Sequence, residues 1–301
     1  MDEPLDPVTD SLPPEGLPAE VMVDVASAVG AQVTVLSRFP GGLNAGAVRV
    51  QVAGQVDAVL KVEARAHPDH FKETLRAKRI VEHMRGVGYL TPAWLAVGAT
   101  ASCVWHLTEF VDAAPARELT TSLVEQLMAI IELQAGQASE PHDHSSYAWR
   151  VVTAQEPILD RLVGYSGDVT ALVERSLSMC AGAPPPKAAP DMVHADFNPS
   201  NVLVRDGVVV AVVDIGNAGC GTRATDLTTL LWHTVDGSLE GVRKRLWTRI
   251  LAVVGGEWAA VLTATQILLQ LEWPIRLGRH ALVAGVIERG NSALDELSAL
   301  R

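Results

Sequence analysis

The run His194-Ala195-Asp196-Phe197-Asn198-Pro199-Ser200-Asn201, followed thirteen residues later by Asp214, carries the chemistry of this chain. Asp196 is a carboxylate suited to accept a proton. Asn201 and Asp214 are oxygen ligands suited to hold magnesium around a nucleoside triphosphate. Phosphoryl transfer asks little more of a protein, because its catalysis is mostly positioning and charge neutralisation.

The spacing indicates which elements must position these groups. Asp196 and Asn201 lie five apart in a stretch where Asn198, Pro199 and Ser200 oppose a continuous helix, so both side chains can face one cleft from a loop. Val202–Val204, a turn at Arg205-Asp206-Gly207 and the apolar run Val208–Val213 read as a buried hairpin. That hairpin is expected to return Asp214 beside Asn201. Gly216 and Gly219 would then let the chain leave without crowding the phosphates.

His194, Asp196, Asn201 and Asp214 together resemble the pattern of the aminoglycoside phosphotransferase and choline kinase-like family of small-molecule kinases. The resemblance implies Asp196 as catalytic base, Asn201 and Asp214 as magnesium ligands, His194 as a brace of the loop, and Asp226 as a structural aspartate. It implies ATP or GTP with Mg2+ as cofactors. A metal-dependent hydrolase built on His194, Asp196 and Asp214 is the remote alternative.

The upstream half should supply the nucleotide lobe. Phe39-Pro40-Gly41-Gly42-Leu43-Asn44-Ala45-Gly46 separates two β-rich runs and could cover phosphates, with Gly41, Gly42 and Asn44 nearest them. An ordinary hairpin turn would use the same glycines. Lys61, one of five lysines, is the one set within an apolar strand, Ala58–Val62. By resemblance it contacts the α and β phosphates; an edge-strand gatekeeper is the other reading. The glutamate that normally holds such a lysine falls at Ala77 here, so Glu73 is the expected substitute and Glu82 the second choice. The segment Thr108–Ala113 resembles the family's linker, where main-chain atoms of Glu109 and Val111 would read the purine.

At 301 residues with 48% apolar content the chain exceeds the ~250 residues at which single cores stop growing. We therefore expect an α+β, bilobal protein-kinase-like fold. Its parts are an acidic, proline-rich arm (1–17), a β-rich nucleotide-binding lobe with one helix at Asp69–Arg85 (18–112), and a mainly helical catalytic and acceptor-binding lobe (113–301). Helices are expected at Arg117–Ala135, Gln155–Val163, Val169–Met179, Asp226–Thr234, Leu239–Val254, Trp258–Leu271 and His280–Leu300.

Composition excludes several classes. A net charge of -11 opposes nucleic acid, although seven of the negatives, from Asp2 to Asp24, lie near the start. The first 37 residues lack lysine and arginine, unlike a secretory or mitochondrial address. No uninterrupted apolar stretch reaches spanning length, so no membrane partner is expected. Three cysteines, Cys103, Cys180 and Cys220, without metal-ligand spacing fit a reducing cytoplasm and packed thiols. His142 and His144 read as an exposed loop rather than a metal site.

The acceptor should be a hydroxylated, cationic small molecule met after Asp226 by Trp232, Glu272, Trp273 and Glu288, which offer aromatic faces and carboxylates. For each of these residues taken singly, ordinary packing or a solvated helix face is the favoured reading, and Arg276, Arg279 and Arg289 could neutralise the acids. The leading expectation is O-phosphorylation of an antibiotic, an aminoglycoside or a basic peptide of the capreomycin and viomycin kind, conferring resistance. A metabolic kinase of choline, a sugar or an amino alcohol is the rival. A nucleotide-binding regulatory pseudokinase is the alternative from another class. The sequence leaves the oligomeric state open.

Overall fold

The computed structural model describes residues 17–39, 46–53 and 57–301. The chain divides into two compact units, the first running to Ala114 and including Val210–Asn217. The first unit contains α1 (Ala19–Val29), β1 (Val33–Arg38), β2 (Gly46–Val52), β3 (Asp57–Ala64), α2 (His70–Gly86), β4 (Trp94–Ala99) and β5 (Cys103–Glu109). Its strands form one antiparallel sheet in the order β1-β2-β3-β5-β4.

Side chains alternate along β3, as a strand covered differently on its two faces requires. Ala58, Leu60 and Val62 are fully buried, while Asp57, Val59, Lys61 and Glu63 are half-buried on the other face. Helix α1 covers the buried face, with Val21 and Val25 packed among Val48, Val50, Leu60 and Leu107. Trp105 joins this core and donates its indole N–H to Asp24 at 2.8 Å. Valines at this four-residue spacing make an amphipathic helix out of an acidic segment. The expected single helix of this unit is α2, and α1 is an addition that the sequence reading left unassigned.

The second unit comprises Pro115–Val209 and Ala218–Arg301. The short strand β6 (Ala114–Pro115) stands at the boundary, followed by α3 (Thr121–Glu132), α4 (His144–Val152), α5 (Ile158–Leu162), α6 (Gly167–Met179) and β7 (Asp191–Val193). After these come β8 (Val202–Arg205), β9 (Val208–Val212), β10 (Gly219–Gly221), α7 (Ala224–His233), α8 (Glu240–Arg276) and α9 (Val283–Leu300). The expected boundary at 112 thus lies two residues before the first unit's Ala114, and residues 210–217 return to that unit.

Several element ends differ from expectation for local reasons. Helix α3 starts at Thr121 because Thr120 caps it, its hydroxyl accepting from Leu123 N–H at 3.2 Å. Pro157 delays α5 to Ile158. The exposed loop expected at His142–His144 is corrected: His144 is buried in the first turn of α4, capped by Asp143. The expected break between two late helices survives inside α8 as Gly255, whose φ of 73° is not helical. By length and composition Gly237–Arg276 could cross a membrane, yet half of its most apolar window is buried inside the structure. There Ile267, Leu268 and Leu271 pack with Leu162, Leu172 and Leu294.

Glycine is required at Gly98 in β4, where a Cβ would lie 2.3 Å from the Trp105 ring. Gly98→Ala should therefore lower stability by about 1–3 kcal/mol through forced displacement of that ring. A shift of the urea midpoint at unchanged m-value is the readout.

Candidate active site

Strand β7 runs directly into His194 and Asp196, and the backbone between them is strained. Ala195 has φ 68°, a region that alanine rarely adopts. Asp226, fully buried in the first turn of α7, fixes this conformation. It accepts N–H bonds from His194 at 2.7 Å, Ala195 at 2.9 Å and the Gln134 amide at 2.9 Å. Burial raises the Asp226 pKa, and the neighbouring His194 and these hydrogen bonds offset only part of that rise. His194 is fully buried, accepts weakly from Asp196 N–H at Nδ1 (3.3 Å) and meets Phe197 edge-on at 5.7 Å.

Both carboxylate oxygens of Asp196 are held. Asn198 Nδ2 donates to Oδ1 and Asn201 Nδ2 to Oδ2, each at 2.7 Å. Asn201 Nδ2 also donates to the Asp196 carbonyl at 2.9 Å. The expected turn between them is a single 3-10 turn, Pro199–Asn201, capped by Asn198 accepting from Ser200 N–H at 3.0 Å. These bonds commit the amide nitrogen of Asn201 and turn its amide oxygen away from Asp196. Beneath the loop, Arg223 donates to Asp191 at 2.9 Å and to Glu132 at 3.1 Å.

The hairpin β8–β9 turns at Asp206 and Gly207, both at positive φ, as a two-residue turn matched to strand twist requires. The chain then passes to Asp214, itself at φ 62°. In the first unit Lys61 Nζ donates to Asp214 Oδ1 at 2.7 Å and lies 3.2 Å from Glu63. Burial alone would depress the Lys61 ammonium, but the Asp214 and Glu63 carboxylates more than reverse this and hold it above the ordinary lysine range. The expected Glu73 pairing is therefore corrected: Glu63 and Asp214 orient Lys61, Glu73 faces His67 at 3.4 Å, and Glu82 pairs with Lys78. Ala77 is fully buried on α2.

The remaining nucleotide-side expectations divide. Gly41, Gly42 and Asn44 lie outside the described residues. Glu109 N–H is committed to Ala93 O at 2.9 Å, and Val111 O accepts from Ala113 N–H at 2.9 Å. Gly219 has a different role from the one expected: a Cβ there would lie 2.1 Å from His142 O, so its bareness serves packing against that backbone.

Residues 35–261 match the phosphotransferase enzyme family, APH. The chain belongs to that family. No curated protein matches it significantly. Among solved structures it is similar to a thermostable mutant of aminoglycoside phosphotransferase APH(4)-Ia in ternary complex with ADP and hygromycin B. That likeness has a TM-score of 0.68 and 16% identity, over 92% of this chain and 98% of the other. A Thermobifida fusca protein assigned as a fructosamine-3-kinase gives 0.59 and 20%, covering 91% and 98%. Macrolide 2'-phosphotransferase MphH of Brachybacterium faecium gives 0.57 and 18%, covering 92% and 97%. At such identities the likeness establishes the kinase-like phosphotransferase fold, a sheet-rich first region followed by a mostly helical second.

On the acceptor side, arginines occupy much of the patch expected to receive a cation. Arg289 stands 5.4 Å from the Trp232 ring centre and Arg279 stands 5.3 Å from that of Trp273. Glu272 is buried and paired with both Arg161 and Arg276. Glu288 is exposed on α9. Trp232 and Glu272 are thus packed structural residues, which corrects their reading as free recognition groups. Cys103 is buried and Cys180 and Cys220 are partly covered, with burial pushing the Cys180 thiol up to about 12 and raising that of Cys220.

Two histidines beside this machinery stay neutral. Burial and then the Lys61 charge push His106 down to about 4; burial and then Arg289 do the same to His233. His106 stacks on Trp94 at 4.2 Å and is paired in register with Lys61. The unfolded chain protonates its histidines below about pH 6.5 while the folded chain resists to about 4. Stability should therefore fall as pH drops through that window and lose nothing more from this source below it. His106→Gln should make the fall shallower without abolishing it, since His233 remains, as measured by urea midpoints from pH 7 to 4.

Proposed function

We propose that this chain transfers the terminal phosphoryl group of ATP, or of GTP, to a hydroxyl of a small molecule. The observation that carries the proposal is the fixed carboxylate of Asp196, gripped on both oxygens beside the Asn201 amide oxygen. The ADP and AMP-PNP complexes of the APH(4)-Ia neighbours favour an adenine nucleotide. In this reading the first unit binds nucleotide and the second presents the catalytic loop and acceptor surface.

The oxygen donors Asn201 and Asp214 fit magnesium, which is commonly held by one or two carboxylates together with substrate phosphates. Among the described residues no group of three or more His, Cys, Asp or Glu side chains is placed to hold a metal alone. When bound, the ion would neutralise phosphate charge. Lys61 would exchange its carboxylate partner Asp214 for nucleotide phosphate. Asp196 would accept the acceptor's hydroxyl proton as the oxygen–phosphorus bond forms, the β–γ bridging bond breaks and ADP departs.

The acceptor we favour is an antibiotic, as in the hygromycin B and macrolide neighbours, with phosphorylation weakening its target binding. A cationic group on it would meet exposed Glu288 rather than Glu272. A metabolic kinase is the second reading: the arginines over Trp232 and Trp273 favour an uncharged sugar over choline or an amino alcohol, and the fructosamine-3-kinase likeness supports it. Against the pseudokinase reading, Glu63 and Asp214 supply Lys61 with carboxylate partners in the absence of a glutamate at position 77.

Asp196→Ala should reduce kcat by at least roughly 100-fold while ATP affinity changes little. Turnover within a few-fold of the parent, in an assay of acceptor-dependent ADP release, would remove Asp196 as the base.

A further inference from the structure

Antiparallel register places one set of side chains on a common face with Lys61. Arg49 and Thr108 both pair with Val59, while Ala47 and His106 pair with Lys61. The Arg49 row therefore lies one pleat repeat, about 6.6 Å, from the Lys61 row, displaced toward the end of β5 where Glu109, Phe110 and Val111 follow. Asp57 stands a further repeat along, and Phe110 N–H donates to its carbonyl at 3.2 Å.

Arg49 is immobilised there. Its Nε donates to Asp57 Oδ2 at 2.9 Å, and a second guanidinium nitrogen contacts the same oxygen. Its Cζ lies 4.1 Å from the centre of the Phe110 ring, and Phe39 stacks on Phe110 at 6.4 Å with an interplanar angle of 25°. The Arg49 side chain keeps 36% of its surface exposed. A planar cation anchored by one carboxylate and backed by an aromatic ring, yet open on its remaining surface, suits stacking against another π-system.

We infer that Arg49, backed by Phe110 and held by Asp57, is the platform on which the purine base of the nucleotide stacks. This rests on the reading of Lys61 as the phosphate contact, the Arg49 row lying one pleat repeat further along the same face toward the segment that follows β5. Stacking of this kind reads the π-face and not the edge, so adenine and guanine are both accepted. Asp57 is a positioning residue.

Calorimetric titration in magnesium buffer tests the inference with ATP, GTP and inorganic tripolyphosphate as probes. Arg49→Ala should weaken ATP and GTP alike by roughly tenfold and leave tripolyphosphate unchanged. Arg49→Lys, which keeps the charge paired with Asp57 and so protects folding, should weaken both nucleotides in the same way because the planar face is lost. Unchanged nucleotide affinity in both variants, or an equal loss for tripolyphosphate, would overturn the platform. Lys61→Ala separates the underlying reading: it should weaken all three probes. Indifference of every probe to Lys61→Ala would overturn the phosphate contact, and the platform with it.

Discussion

Asp226 has no room for water or for error, since it is fully buried under the catalytic loop with its carboxylate turned to two successive backbone N–H groups. An unsatisfied carboxylate in that position would cost several kcal/mol, and an unsupported alanine at φ 68° would relax. Each defect is corrected by the other. The strained backbone presents His194 and Ala195 N–H to the carboxylate, and the carboxylate keeps the strain in place. Asp196 inherits its direction from that arrangement and is then gripped by Asn198 and Asn201.

Charge in the first unit is arranged in advance of any ligand. Lys61 is a half-buried cation that Asp214 and Glu63 neutralise. Under the proposed function, a triphosphate arriving there would exchange one anionic partner of the lysine for another and would turn Asp214 toward a cation. The shared face of the sheet also carries His106, kept neutral by burial and by the lysine itself, which limits competing positive charge. Arg49 is the other cation on that face, fixed by Asp57.

The form of the 194–214 segment was legible because Asp196 and Asn201 stand at short separation in a stretch that opposes a helix, and the hairpin leading to Asp214 is written in apolar runs and Asp206-Gly207. Glu63 was also available, two residues from Lys61 on one strand face, but the family pattern drew attention to the following helix and so to Glu73. Helix α1 lay within the expected lobe but was not assigned as a helix, because the stretch carries only a short apolar pattern, in which Val21 and Val25 form the buried face. On the acceptor side, Arg276, Arg279 and Arg289 were legible as possible neutralisers from the same stretch as Glu272, Trp273 and Glu288, whereas no local pattern declares a pairing across more than a hundred residues such as Arg161 with Glu272.

The central claim is phosphoryl transfer to a small-molecule hydroxyl, and mass spectrometry of candidate acceptors after incubation with the full chain, magnesium and ATP or GTP addresses it most directly. A panel of aminoglycosides, basic peptide antibiotics, macrolides, sugars and amino alcohols should contain at least one compound that gains the mass of a single phosphoryl group. Hydrolysis of nucleotide with no phosphorylated compound anywhere in the panel would contradict the account.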